Sequence, residues 1–260
     1  MSESHKKLLN IIKYWNTDLL CSFESSTSHA DPDLSYLDNV IENRLLQNLL
    51  SEYRQEKCDK CLDVGAGYGR FAPTFLKFFS ETVLLEAADQ IFSKLLDLWK
   101  NEKSIDCKSG TFESFEEETG FDLIFSSGVL YLYDAEMVYQ FLEKAKRSLN
   151  KQGLLILRDF VAEPERVMKS AYVENGSCCY RSPQFWSDTA SSLGFHMLQI
   201  LRSKPRLAFL RNMKVLRLLR LLHLSVWLRS PITIDAAMRF GNMRMKGNDI
   251  QTVFIVMRAR

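Results

Sequence analysis

Between residues 34 and 53 the chain reads LSYLDNVIENRLLQNLLSEY, in which Leu34, Leu37, Val40, Ile41, Leu45, Leu49 and Tyr53 recur at three- and four-residue steps. That spacing gathers them on one side of a helix, and Asp31-Pro32-Asp33 ahead of it is a helix start signal. Beyond residue 60 the pattern changes. Short apolar runs at 61–64, 82–86, 121–126, 154–159, 195–201 and 251–257 predict strands, and helical patterns at 71–79, 90–100 and 134–149 separate the first four. Asp134 is placed to cap the last of these helices, with Gly153 near its end, and Asp89 to cap the helix opening at Gln90. Strand and helix alternating in this rhythm predict a parallel sheet with helices on both faces. Such sheets hold ligands at the carboxyl ends of their strands, so the residues just after each strand are where chemistry is expected.

With 260 residues, 46% hydrophobic and 25% charged, the chain can bury one sizeable core. The expected organisation is an N-terminal helical cap over residues 1–56 and one domain over 57–260. The opening MSESHKKLLNIIKYW has no apolar run followed by small residues, and no stretch of 18 apolar residues occurs elsewhere, so a soluble, cytoplasmic protein is expected. Six cysteines make no disulfide framework at this length; Cys58 and Cys61 form a lone CxxC, and the four histidines show no ligand spacing, so no metal is expected. The net charge of +2 gives no nucleic-acid signal, but it is unevenly spread. From Lys204 to Lys246 ten Lys or Arg meet a single acid, Asp235, a local balance of +9 against −7 for the rest. This basic insertion, at about 204–247, is open to three readings: a lid attracting an acidic partner, a membrane-surface contact through leucines and snorkelling arginines, or a structural excursion with solvated charges.

Candidate chemistry concentrates in CLDVGAGYGR, residues 61–70. A glycine-rich turn between a first strand and a first helix lets backbone amides approach an anionic or polar ligand closely. The dinucleotide fingerprint needs glycine at its first, third and sixth positions, but counting from Gly65 the sixth is Arg70, which weighs against NAD. The glycines fall instead at 65, 67 and 69, with Asp63 in the preceding strand.

This ordered set resembles the class I S-adenosylmethionine-dependent methyltransferases, whose first motif runs acid-x-Gly-x-Gly-x-Gly. The resemblance covers most of residues 61–201. It implies a Rossmann-like, doubly wound, seven-stranded and mostly parallel α/β sheet, with the N-terminal helical cap and the insertion between the sixth and seventh sheet strands added to it. It also implies S-adenosyl-L-methionine as cofactor and Asp63, Gly65, Ala66 and Gly67 at its glycine loop. Glu86, ending the second strand, would bind both ribose hydroxyls, since a carboxylate accepts two hydrogen bonds at once. Thr111 and Phe112 would edge the adenine, and Ser127 would stand at the exit of the fourth strand.

Within the superfamily the chain is most similar to the alpha-N-methyltransferases that modify protein N-termini. GAGYGR ends in Arg70, whose counterpart pairs with the methionine carboxylate, and Tyr14-Trp15 resembles an aromatic pair that closes the cofactor pocket, giving Trp15 that role. LILRDF resembles the fifth strand of that family, and CYRSPQFWSDTASSLGF its approach to the sixth. The departures fall on the acceptor side. The glycine-rich segment after Tyr14-Trp15 is missing, Phe160 stands where the family has Asn, and Gly128 and Leu132 replace its substrate-facing Trp and His.

Methyl transfer from a sulfonium needs position, a dry pocket and an acceptor lone pair, without a metal. Asp159 is the expected group for orienting or deprotonating an amine, with Tyr131, Tyr133 and Ser127 shaping its site; the plainer alternative for Asp159 is an acid holding the neighbouring loop. The expected acceptor is a protein or peptide α-amino group. A small-molecule amine or hydroxyl, or a non-catalytic methyltransferase-like binding subunit, are the alternatives left open.

Overall fold

The computed structural model describes residues 3–16, 32–54, 59–116, 119–170, 176–202, 230 and 250–259. The basic insertion expected at about 204–247, apart from Ser230, lies outside the described residues.

Two helices come first, α1 (Glu3–Trp15) and α2 (Pro32–Tyr53), the second covering the predicted 34–53 segment. They are followed by β1 (Lys60–Val64), α3 (Ala72–Phe75), β2 (Glu81–Glu86), α4 (Asp89–Trp99), β3 (Ile105–Ser109), β4 (Phe121–Ser127), a short 3-10 turn (Leu130–Leu132) and α5 (Ala135–Ser148). Then come β5 (Leu149–Val161), the hairpin β6 (Arg166–Lys169) and β7 (Ser177–Tyr180), α6 (Pro183–Ser192), β8 (Phe195–Arg202) and β9 (Gln251–Ala259).

Seven strands form one sheet in the order β3-β2-β1-β4-β5-β9-β8, parallel except for β9, which runs antiparallel to both its neighbours. The order reverses between β1 and β4, which leaves a crevice beyond their carboxyl ends, the ligand position of open α/β sheets. The central strands are buried on both faces, so each reads as an apolar run without alternation, and one core lies on either side. Leu46, Leu49, Phe71, Phe75 and Phe125 share one core, which seats α2 and α3. Leu62, Val64, Phe112, Phe141 and Leu157 belong to the other, which takes in Leu8 and Ile11 of α1.

Three local expectations are corrected. Asp134 does cap α5, accepting the Met137 amide at 2.9 Å, but the helix ends at Ser148 and Gly153 lies inside β5, which begins eleven residues before Phe160. A Cβ on Gly153 would come within 2.9 Å of the Asn150 carbonyl, so close backbone approach explains that glycine. Asp89 is the first residue of α4 rather than its cap; the capping position is Ala88, whose amide is held by Glu86 instead. The segment predicted as helix over 71–79 is helical only at Ala72–Phe75.

Candidate active site

One cavity opens at the carboxyl ends of β1, β2, β4 and β5, under α1. Its wall includes Trp15, Asp63, Gly65, Ala66, Gly67, Arg70, Glu86, Thr111, Phe112, Ser127 and Tyr131. Sequence reasoning had named all of these separately; the sheet brings them to one place.

The floor is the glycine turn. The amides of Gly65 and Ala66 both donate to the Leu85 carbonyl, at 2.9 and 3.0 Å, which ties the turn to the end of β2. Glu86 completes that tie: Oε2 accepts the Gly67 amide and Oε1 the Ala88 amide, each at 2.8 Å. Burial pushes the Glu86 carboxyl upward and these amides oppose it. Both oxygens keep lone pairs for further donors. Gly67 has φ +60°, and a Cβ there would meet nothing within 4 Å, so the hydrogen in its place keeps the cavity floor open. Gly65 differs: at φ +71° its Cβ would sit 2.7 Å from Val129 Cγ2.

Deeper in, two residues that line the cavity each hold a buried polar atom with no hydrogen-bond partner among the described residues, Asp63 Oδ1 and Arg70 Nη1. Burial pushes the Asp63 carboxyl up to about 8; the Arg70 guanidinium pulls it down and Glu86 adds to the rise. An acceptor and a cationic donor left unsatisfied on one cavity suit a ligand carrying an ammonium and a carboxylate, as the amino-acid end of S-adenosylmethionine does. With Glu86 available for a diol and Gly67 leaving room beside it, the residues present fit that cofactor.

Arg70 also has an unforeseen partner. Its Nη2 lies 2.7 Å from Glu42 Oε2 of α2, while Glu42 Oε1 accepts from Arg158 Nε at 3.1 Å and Nη2 at 2.7 Å. Glu42 is 1% exposed. Sequence reading missed it, although a signal existed: Asp38 and Glu42 share a helical line with Leu45 and Leu49, and an acid among core positions requires a cation.

The acceptor side is aromatic. Tyr131 meets Phe160 edge-on at 4.9 Å between centroids and lies stacked at 6.2 Å with Tyr180, while Arg158 stands 5.3 Å over the Phe160 ring. Arg181, 5% exposed, donates to the carbonyls of Leu130 at 3.0 Å and Tyr133 at 2.5 Å, pinning the 3-10 turn that carries Tyr131. Asp159 sits differently from the rest. It lies between Arg158 and Phe160 on β5 but is not among the residues lining the cavity, and it is 1% exposed. Its Oδ1 accepts the Phe160 amide at 2.8 Å, and burial pushes its carboxyl up to about 7 against the pull of that amide, Arg181, Arg158 and the Tyr131 amide.

Among the described residues no group of three His, Cys, Asp or Glu side chains is arranged to hold a metal, and no helix is long and apolar enough to cross a membrane.

A family profile described as AdoMet-dependent proline di-methyltransferase matches residues 10–200, a span that holds every residue lining this cavity except Leu8. An N-terminal Xaa-Pro-Lys N-methyltransferase from Xenopus laevis is 27% identical over 145 residues, which cover 53% of the chain and 64% of that relative, just under two thirds of its length. Among solved structures, a SAM-dependent methyltransferase from Leishmania major has a similar fold, with TM-score 0.67 and 13% identity over 96% of this chain and 82% of that one. So does the 1,6-didemethyltoxoflavin-N1-methyltransferase of Burkholderia thailandensis, solved with S-adenosylhomocysteine bound, with TM-score 0.63 and 12% identity over 100% of this chain and 91% of that one.

Proposed function

Because the chain belongs to the AdoMet-dependent proline di-methyltransferase family and is an S-adenosylmethionine-dependent methyltransferase, we propose that its acceptor is the α-amino group of a protein or peptide. The observation carrying this reading is the family match over residues 10–200, a stretch that includes all the cavity-lining residues but Leu8.

When bound, the cofactor supplies an electrophilic methyl group on a sulfonium. The residues around it hold and exclude. Glu86, which holds the Gly67 and Ala88 amides, would accept the ribose hydroxyls. Arg70 would hold the carboxylate and Asp63 the ammonium. Thr111 and Phe112 would flank the base, and Ile11 and Trp15 of α1 would keep water out.

An amine attacks only as the free base. The Ser127 and Tyr131 hydroxyls on the wall would accept the N–H of the neutral amine and leave its lone pair free for the methyl group. In this reading Asp159 is a positioning residue: it fixes the Phe160 amide and stands in the field of Arg181.

A second reading, a small-molecule amine as acceptor, is favoured by one feature, the aromatic wall of Tyr131, Phe160 and Tyr180. Mass spectrometry separates the two. The purified chain is offered S-adenosylmethionine with peptides bearing free or acetylated N-termini and with a panel of small amines. Methyl gains on free N-termini and none on acetylated ones are expected; gains confined to the small amines overturn the peptide reading.

A further inference from the structure

Glu42 lies in the cap helix, 28 residues before Arg70 and 116 before Arg158, yet both guanidinia converge on its single carboxylate. Each carboxylate oxygen serves one arginine: Oε2 takes Arg70, and Oε1 takes two N–H groups of Arg158. All three side chains are buried, at 1%, 7% and 6% exposure. Each guanidinium is also fixed by a ring, Arg70 at 4.1 Å over Phe71 and Arg158 at 5.3 Å over Phe160. Two cations share one anion in a site shielded from water, and the next acid in the field of Arg70, Asp63, is held toward its neutral form by burial. A buried net charge needs a counter-ion. Arg70, whose Nη1 is buried and has no hydrogen-bond partner among the described residues, is one of the residues lining the cavity.

We propose that Glu42 is a positioning residue for the amino-acid end of the cofactor: by spanning Arg70 and Arg158 it holds the two cations together and leaves Arg70 Nη1 aimed at the cofactor carboxylate, so that the cap helix sets cofactor affinity. The inference rests on the reading that Arg70 receives that carboxylate. It assigns a function to α2 beyond covering the sheet. Without the bridge the two guanidinia repel one another and Arg70 loses its fixed orientation.

Charge and position pull in opposite directions here, which makes the test selective. Glu42→Asp keeps the negative charge but is one methylene short of reaching both arginines. Glu42→Gln keeps the reach and loses the charge, and serves if the first variant does not fold. Calorimetry on the full chain uses two probes, S-adenosylhomocysteine, which has the amino-acid end, and 5′-methylthioadenosine, which lacks it. Either folded variant is expected to bind S-adenosylhomocysteine about tenfold or more weakly, with 5′-methylthioadenosine affinity within about twofold of wild type.

Equal losses for both probes, no loss, or a gain for S-adenosylhomocysteine each overturn the inference. A wild-type chain that binds the two probes equally well shows instead that the amino-acid end does not reach Arg70, and then the underlying site reading fails.

Discussion

Arg181 Nη2 donates to the carbonyl of Tyr133, 48 residues earlier in the chain, at 2.5 Å. Through this bond and the one to Leu130, the end of the β6–β7 hairpin holds the turn on which Tyr131 faces the cavity. A lysine presents a single point of donation and cannot reproduce the fork. Arg181→Lys is therefore expected to lower kcat about tenfold or more while S-adenosylhomocysteine affinity stays within about twofold, because only the acceptor side shifts. Measuring kcat beside calorimetric affinity checks this, and a parallel fall in both would place Arg181 in cofactor binding instead.

Two glycines of one turn are expected to respond differently to the same substitution. Gly67→Ala and Gly65→Ala both place a side chain at positive φ, at a cost of about 1–2 kcal/mol. The Cβ at 67 meets no protein atom and projects into ligand space, whereas that at 65 runs into Val129. Gly67→Ala should lose cofactor affinity out of proportion to its small loss of stability. Gly65→Ala should lose the larger share of stability. Denaturant unfolding together with calorimetry distinguishes the two patterns.

Asp63 is expected to make both stability and binding depend on pH. Its carboxyl is raised to about 8 by burial, which outweighs Arg70, with Glu86 adding to the rise. Between about pH 4 and pH 8 the folded chain thus keeps a proton that the unfolded chain has released, so this group's contribution to stability declines as pH rises through that window. Asp159, raised to about 7, acts in the same direction. A ligand ammonium against Asp63 Oδ1 favours the ionised form, so binding at pH 7 should release a proton and strengthen toward pH 8. Calorimetry in buffers of different ionisation enthalpy reads that release directly, and Asp63→Asn should abolish it.

Features carried by consecutive residues were legible in the sequence. The run from Asp63 to Arg70 and the acid closing β2 carry the resemblance to the methyltransferases, and the strand–helix rhythm gives the doubly wound sheet. Features assembled across the fold were not. β3 sits at the sheet edge and reads IDCKS, with half-buried and exposed positions mixed, so no apolar run marks it. The β6–β7 hairpin exposes Val167 and Met168, which inverts the usual apolar signal. The bridge from Glu42 to Arg70 and Arg158 depends on α2 crossing the sheet face, which no local pattern reveals.

The central claim is that the cofactor lies in this cavity with its sugar on Glu86 and its amino-acid end on Arg70. Calorimetric titration of S-adenosylhomocysteine into the wild-type chain, Glu86→Ala and Arg70→Ala tests it most directly. Each folded variant should lose about 1.5–3 kcal/mol of binding, roughly tenfold or more in affinity. Affinity unchanged from wild type in both variants would contradict the account.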